Sequence, residues 1–160
     1  MTPQRIVWHH SGINSKDPQF DRINLYHKTR KFPRSTLGYF VGYHYIIEPH
    51  GALRQARIET ETGAHDQGEN INSLGICLAG DFNLTTPLDA QITAATILVE
   101  QLRSRWNIPI ARIEPHRWDD VTDCPGKLLA DNWLVSEFLK RNANPLARAY
   151  YALGIRLNLL

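Results

Sequence analysis

The sequence predicts a single α/β domain built on a central mixed β-sheet flanked by helices. Two observations carry this. Short apolar runs with many β-branched and aromatic residues recur at residues 5–9, 41–48, 73–82 and 108–116. Between or after them lie stretches whose apolar residues are spaced three and four apart, as in amphipathic helices. A chain of 160 residues and 18.3 kDa is long enough for one core, because a domain of that size buries roughly 68–70% of the surface its unfolded form exposes.

Arg5 to His9 reads as a buried first strand, and the polar GINSKD segment after it as a loop. Asp17 and Pro18 suit the N-cap and first position of a helix, with Phe20, Ile23, Leu25 and Tyr26 carrying it to about residue 30. His27 is expected to pack on that helix. KFPRSTLGYF is a loop along one side of a groove, and VGYHYIIE, PHG and ALRQAR form a hairpin signal. Strand alternation within the hairpin sends Tyr43 and His44 to opposite faces.

Residues 57–72 read as irregular, and SLGICLAGDF as a central buried strand. Thr86, Pro87 and Asp89 mark a helix start, followed by Ile92, Ala95, Leu98, Leu102 and Trp106 on one face. IPIARIEPH is a short strand ending at His116. From Pro125 a last helix is expected to about Arg141, with Leu128, Leu129, Trp133, Leu134 and Phe138 as its apolar face. The domain is assigned to residues 1–142. Residues 143–160 form a C-terminal extension expected to pack on it, with a short helix from Pro145 to Leu153 ended by Gly154.

Composition excludes several classes. Eighteen basic against sixteen acidic residues leave a formal charge of +2, too small to imply a nucleic-acid partner. No segment approaches the ~18 apolar residues of a membrane span, and MTPQRIVWHH lacks a stretch of signal-peptide length. The expectation is synthesis in the cytoplasm, with release to the outside by other means if the substrate lies there. Cys77 sits in an apolar run, Cys124 among polar residues, and both are expected to be reduced.

The chemistry concentrates in HRWDDVTDCPGK, His116 to Lys127. His116 and Cys124 are good ligands for a borderline-soft cation. Pro125 fits a first helical position, which would place Cys124 at a helix N-cap where the macrodipole favours a thiolate. A catalytic zinc site needs a third protein ligand. RIVWHHSG offers one in His9 or His10, which strand alternation directs to opposite faces. Strand geometry alone leaves the choice open.

VWHHSG, GYHYIIEPHG, GAHDQGENINSLGICLAGDF and HRWDDVTDCPG occur in an order that resembles the type 2 N-acetylmuramoyl-L-alanine amidases, a family that includes phage lysozyme-like amidases and peptidoglycan recognition proteins. The resemblance covers roughly residues 5–136. It implies Zn2+ held by His9, His116 and Cys124, with His10 as the adjacent non-ligand. It implies hydrolysis of the amide between N-acetylmuramic acid and L-alanine in peptidoglycan, with Tyr43 hydrogen-bonding near the attacking water or the oxyanion. Thr122 stands where some phage members have a lysine, and supplies one neutral hydrogen bond at that catalytic position. His65 matches a histidine near the substrate groove. Asn70 and Asn72 beside it either bind peptide or sugar or satisfy loop backbone groups. A second branch of the family carries glutamate at the position of Cys77 and aspartate at that of Cys124; this chain has neither.

The resemblance implies an endolysin-like, bacteriolytic monomer acting on the cell wall at host lysis. Other readings are a non-catalytic peptidoglycan-binding module, a bacterial enzyme recycling wall fragments, and a metal-free cysteine peptidase dyad of Cys124 with His116. His44 and His50 are expected to be structural or exposed.

Overall fold

The computed structural model describes residues 1–143. The expected helix and tail beyond Pro145 lie outside the described residues. Five strands, β1 (Arg5–His10), β2 (Tyr45–Ile47), β3 (Leu53–Gln55), β4 (Ser73–Leu78) and β5 (Ile113–Pro115), form one sheet in the order β3-β2-β4-β1-β5. Only the β2-β3 hairpin is antiparallel; β2, β4, β1 and β5 run parallel. The sheet is therefore mixed, with α1 (Phe20–Thr29), α2 (Asp89–Trp106) and α3 (Trp133–Ala143) around it.

Alternation along the strands divides the core in two. Ile6 and Trp8 of β1, Leu74, Ile76 and Leu78 of β4, and Tyr45 and Ile47 of β2 pack with Leu98 and Leu102 of α2 and Leu134 and Phe138 of α3. On the opposite face Ile46 and Cys77 pack with Phe20 and Ile23 of α1. Each fully buried aliphatic side chain contributes about 1.5–3 kcal/mol, so the strand ends are held by a closely packed layer. His9 is in register with Cys77 and so stands on the α1 face; His10 stands on the other.

The sequence places the helix starts too early. α1 begins at Phe20, not after Asp17, because its cap comes from a distant residue: the backbone N–H groups of Gln19 and Phe20 donate to the Glu48 carboxylate at 2.7 and 2.9 Å. Asp17 instead closes a local turn with Ser15. Hydrogen bonds to a charged group are worth about 1.5–3 kcal/mol. Glu48→Ala should therefore cost about 2–3 kcal/mol, read from the urea midpoint of the metal-free protein.

α2 begins at Asp89 after Leu88 rather than Thr86, and Gln91 ties its first turn to the carbonyls of Ile47 and Ala79. It ends at Asn107, in the left-handed conformation of a C-cap.

The largest correction concerns the segment after Cys124. No helix starts at Pro125, and α3 begins only at Trp133. Gly126 has φ 114°, and a Cβ there would lie 2.5 Å from the Phe82 backbone. Such a residue cannot continue a helix. Instead, Leu128 donates to the Phe82 carbonyl, and Arg117 donates to the carbonyls of Gly126 and Leu129. The segment is a series of turns strapped to the end of the sheet.

Candidate metal centre

Three pieces of chain meet at the C-terminal ends of β1 and β5. β1 delivers His9, the 3₁₀ turn His116–Trp118 directly after β5 delivers His116, and the following turns return Cys124. Those turns are closed locally. The Asp119 and Asp120 N–H groups donate to the His116 carbonyl, and the Cys124 N–H to Thr122 Oγ1 at 3.1 Å. The ligand atoms of His9, His116 and Cys124 lie within 4.8 Å of one another. His9 Nδ1 is 3.7 Å from Cys124 Sγ, and the two imidazole centroids are 4.4 Å apart.

Electrostatics fit a cation better than a nucleophilic pair. Burial lowers His9 well below the ordinary imidazole value, with His65, His116 and His10 adding, and burial also lowers His116. Burial pushes the Cys124 thiol up to about 12, against the His10 N–H and Arg117. The expected helix-dipole stabilisation of a thiolate is absent because no helix starts there. Without a cation, the cluster holds a neutral thiol and neutral imidazoles, which removes the basis for a thiolate-imidazolium dyad. Both His116 nitrogens are buried without a hydrogen-bond partner; Asp120 and Asp66 stand 3.4 and 4.0 Å from Nε2. An unsatisfied buried group costs about 1–3 kcal/mol, and a cation on this donor set would satisfy one of the two nitrogens. Two imidazoles and one thiolate leaving an opening are a donor set suited to zinc.

Tyr43 lies two residues before β2, in a bend rather than on a regular strand, with its ring 5.0 Å from that of His9. Burial raises its phenol well above 10, with Cys77 and Cys124 adding, so it remains a hydrogen-bond donor at neutral pH. Tyr43 also lines a cavity of about 310 Å³ between the Ser11–Ile13 turn and Arg22, Tyr26 and His27 of α1. Thr122 is exposed beside Cys124; its oxygen accepts the Cys124 N–H, which leaves its hydroxyl hydrogen free to donate.

His65 is placed differently from the groove position expected of it. It is only 9% exposed and sits behind His9, with its Nδ1 3.1 Å from His9 Nε2 and its Nε2 3.4 Å from Ser73 Oγ. Asn70 is a loop fastener, its Oδ1 accepting the N–H groups of His65 and Asp66 at 2.7 and 3.1 Å. Asn72 donates to Glu69. Asn70 follows the backbone-holding alternative, whereas the Asn72 amide pairs with the Glu69 carboxylate. His44 is fully buried, with one ring nitrogen accepting the Gly75 N–H and the other 2.9 Å from the Glu61 carbonyl; His50 is exposed. His27 is buried as expected, accepts the Gly42 N–H and stacks on Phe32.

Two features were not read from the sequence. Arg22 and Tyr26 line the cavity, and their spacing of four on one helix was the available signal. Arg5 is buried among Asp66, Glu69, Glu114 and Asp119, a long-range cluster with no local signature. Within it burial pushes Asp66 up to about 7, helped by Asp119 and opposed by Arg5.

Three potential metal ligands gathered at parallel strand ends, beside a tyrosine-lined cavity, make a candidate site for one cation. Residues 1–127 match the family described as N-acetylmuramoyl-L-alanine amidase. The chain belongs to that family. It is 32% identical over 122 residues to peptidoglycan-recognition protein SC2 of Drosophila melanogaster, an alignment covering 75% of this chain and 66% of that one. With the endolysin of Escherichia phage T7 it shares 38% over 74 residues, 46% of this chain and 48% of the endolysin. The chain thus spans between about half and two thirds of the length of these relatives. The solved N-acetylmuramoyl-L-alanine amidase LysC from Clostridium intestinale superposes with a TM-score of 0.69 at 26% identity, covering 98% of this chain and 88% of that one. Drosophila peptidoglycan recognition protein SD shares the fold, with a TM-score of 0.70 at 24% identity over 86% and 81% of the two chains. No helix among the described residues is long and apolar enough to cross a membrane.

Proposed function

We propose that this chain is a zinc-dependent amidase that cleaves the bond between N-acetylmuramic acid and L-alanine in peptidoglycan. The observation that carries the reading is the convergence of His9, His116 and Cys124 within 4.8 Å, beside the ring of Tyr43. Zinc supplies the Lewis acidity that activates water near neutral pH and polarises an unreactive amide carbonyl. The protein supplies the rest. His9 and His116 enter as neutral ligands, and Cys124 enters as a thiolate after losing its proton. Tyr43 donates its phenol proton in a hydrogen bond to the oxygen that gains charge as the carbonyl becomes tetrahedral. Thr122, exposed beside Cys124, offers a second neutral donor. Arg22, which lines the cavity on α1, would pair with a carboxylate of the stem peptide.

The test is digestion of purified peptidoglycan before and after chelation, following new L-alanine amino termini and reducing sugar ends separately. The reading expects zinc-dependent amino termini and no reducing ends. Retained wall binding without release would favour the alternative, a binding module, which the recognition-protein relatives keep in view. Wall lysis at host release is the setting proposed from the endolysin likeness; turnover of soluble fragments in preference to intact wall would favour the recycling role.

The thiol gives a pH prediction. Its proton must leave before zinc binds, whereas the two lowered imidazoles are already neutral at pH 7. Each zinc bound between pH 7 and 9 should therefore release at least one proton, from the thiol, and up to a second as the bound water ionises near pH 7. Affinity should rise at least about tenfold per pH unit in that window, because the thiol value of about 12 lies above it. Competition against a chelator at several pH values, corrected for the chelator's own protonation, measures the slope.

A further inference from the structure

We propose that His65 is a positioning residue that fixes the tautomer and ring orientation of His9, so that Nδ1 of His9 is the nitrogen presented to the cation. This rests on the metal-site reading above but concerns a residue that is not a ligand.

The argument follows the hydrogens from their fixed end. Ser73 is fully buried at the start of β4, and its hydroxyl donates to the Glu69 carbonyl at 2.7 Å. A carbonyl can only accept, so the direction of that bond is settled. Ser73 Oγ then has only its lone pairs left, and faces His65 Nε2 at 3.4 Å, so His65 carries its hydrogen on Nε2. A neutral imidazole has one donor and one acceptor nitrogen, and His65 Nδ1 is therefore the acceptor. It lies 3.1 Å from His9 Nε2, which must be the donor. His9 Nδ1 is left with a bare lone pair, 3.7 Å from Cys124 Sγ, on the side where the three ligand atoms converge. Histidine ligands are commonly held in this way by a partner on the distal nitrogen.

The surroundings hold His65 in that one pose. A Cβ on Gly63 or on Gly75 would come within 2.5 Å of its ring, so the imidazole is seated in a slot that side chains at those positions would close. Asn70 Oδ1 clamps the backbone on either side of it through the N–H groups of His65 and Asp66. The neighbouring His44 ring is edge-on at 5.8 Å, and both of its nitrogens face backbone groups, so it does not compete for His65.

Two measurements test this. In the metal-free wild-type protein labelled with 15N-histidine, long-range proton-nitrogen correlation reads the tautomer of each ring, with His9→Gln assigning the signal. The expected result is hydrogen on Nε2 of both His9 and His65; hydrogen on Nδ1 of His9 would overturn the proposal. The second is zinc affinity by chelator competition. His65→Leu should weaken zinc by about 10–100-fold, the usual effect of losing such a partner. His65→Gln, whose amide oxygen can accept from His9, should recover most of that loss. Binding by a folded His65→Leu within about twofold of wild type would contradict the positioning role. Should His65→Leu fail to fold, the wild-type tautomer still decides. A wild-type protein that binds no zinc would instead defeat the metal-site reading, and the metal-free tautomer measurement would stand apart from it.

Discussion

Cys124→Ser is expected to abolish most zinc binding and to lower amidase turnover by about a thousandfold or more, while the fold survives. The size follows from the several kcal/mol that a catalytic cation supplies to amide hydrolysis, since each 1.36 kcal/mol is tenfold in rate. A serine hydroxyl keeps its proton at neutral pH and is a hard, short ligand, where the site is built around a sulfur. The fold should tolerate the change because Cys124 is only partly buried and its sulfur makes only weak hydrogen bonds, from the His10 N–H at 3.5 Å and to His9 Nδ1 at 3.7 Å. The turns around it are closed by backbone groups, Thr122 and Arg117. Zinc per chain by atomic emission, release of alanine amino termini and the urea midpoint of the metal-free protein check the three parts. Normal activity in this variant would overturn the ligand assignment.

Tyr43→Phe is expected to keep zinc and lower kcat by about 10²–10³-fold, the effect of removing one oxyanion donor. The phenol is a good candidate for that donor because burial keeps it protonated. Its ring lies against His9 and at the mouth of the cavity, but contributes no ligand atom to the cluster. Phenylalanine preserves the packing against His9 and His27. A loss of metal in this variant would show that Tyr43 supports the ligands instead of the reacting carbonyl.

The sheet was legible in local patterns, and the meeting of His9, His116 and Cys124 in the motifs. β1, β4 and α2 announce themselves through local apolar patterns, and the four motifs fall at the end of β1, around β2, around β4 and just after β5. Strand alternation left His9 and His10 open and the resemblance pointed to His9; the register with Cys77 puts His9 on the α1 face. Helix starts were misread where the cap came from far along the chain, as Glu48 does for α1. The Pro125 signal failed for a tertiary reason: Gly126 is drawn against Phe82, so the proline opens a turn instead of a helix. Residues 57–72 were read as irregular, with His65 near the substrate groove. Their hydrogen bonds turn inward, towards the metal ligands and the buried Arg5 cluster. A polar loop that solvates a groove and one that holds a buried site have the same composition, so only the fold separates them.

The most direct test of the central claim is to titrate zinc into the metal-free protein while measuring both bound zinc and the release of L-alanine amino termini from peptidoglycan. The account predicts no release without metal, and release rising in proportion to bound zinc up to one ion per chain. Full release from the metal-free protein, unchanged by zinc, would contradict it.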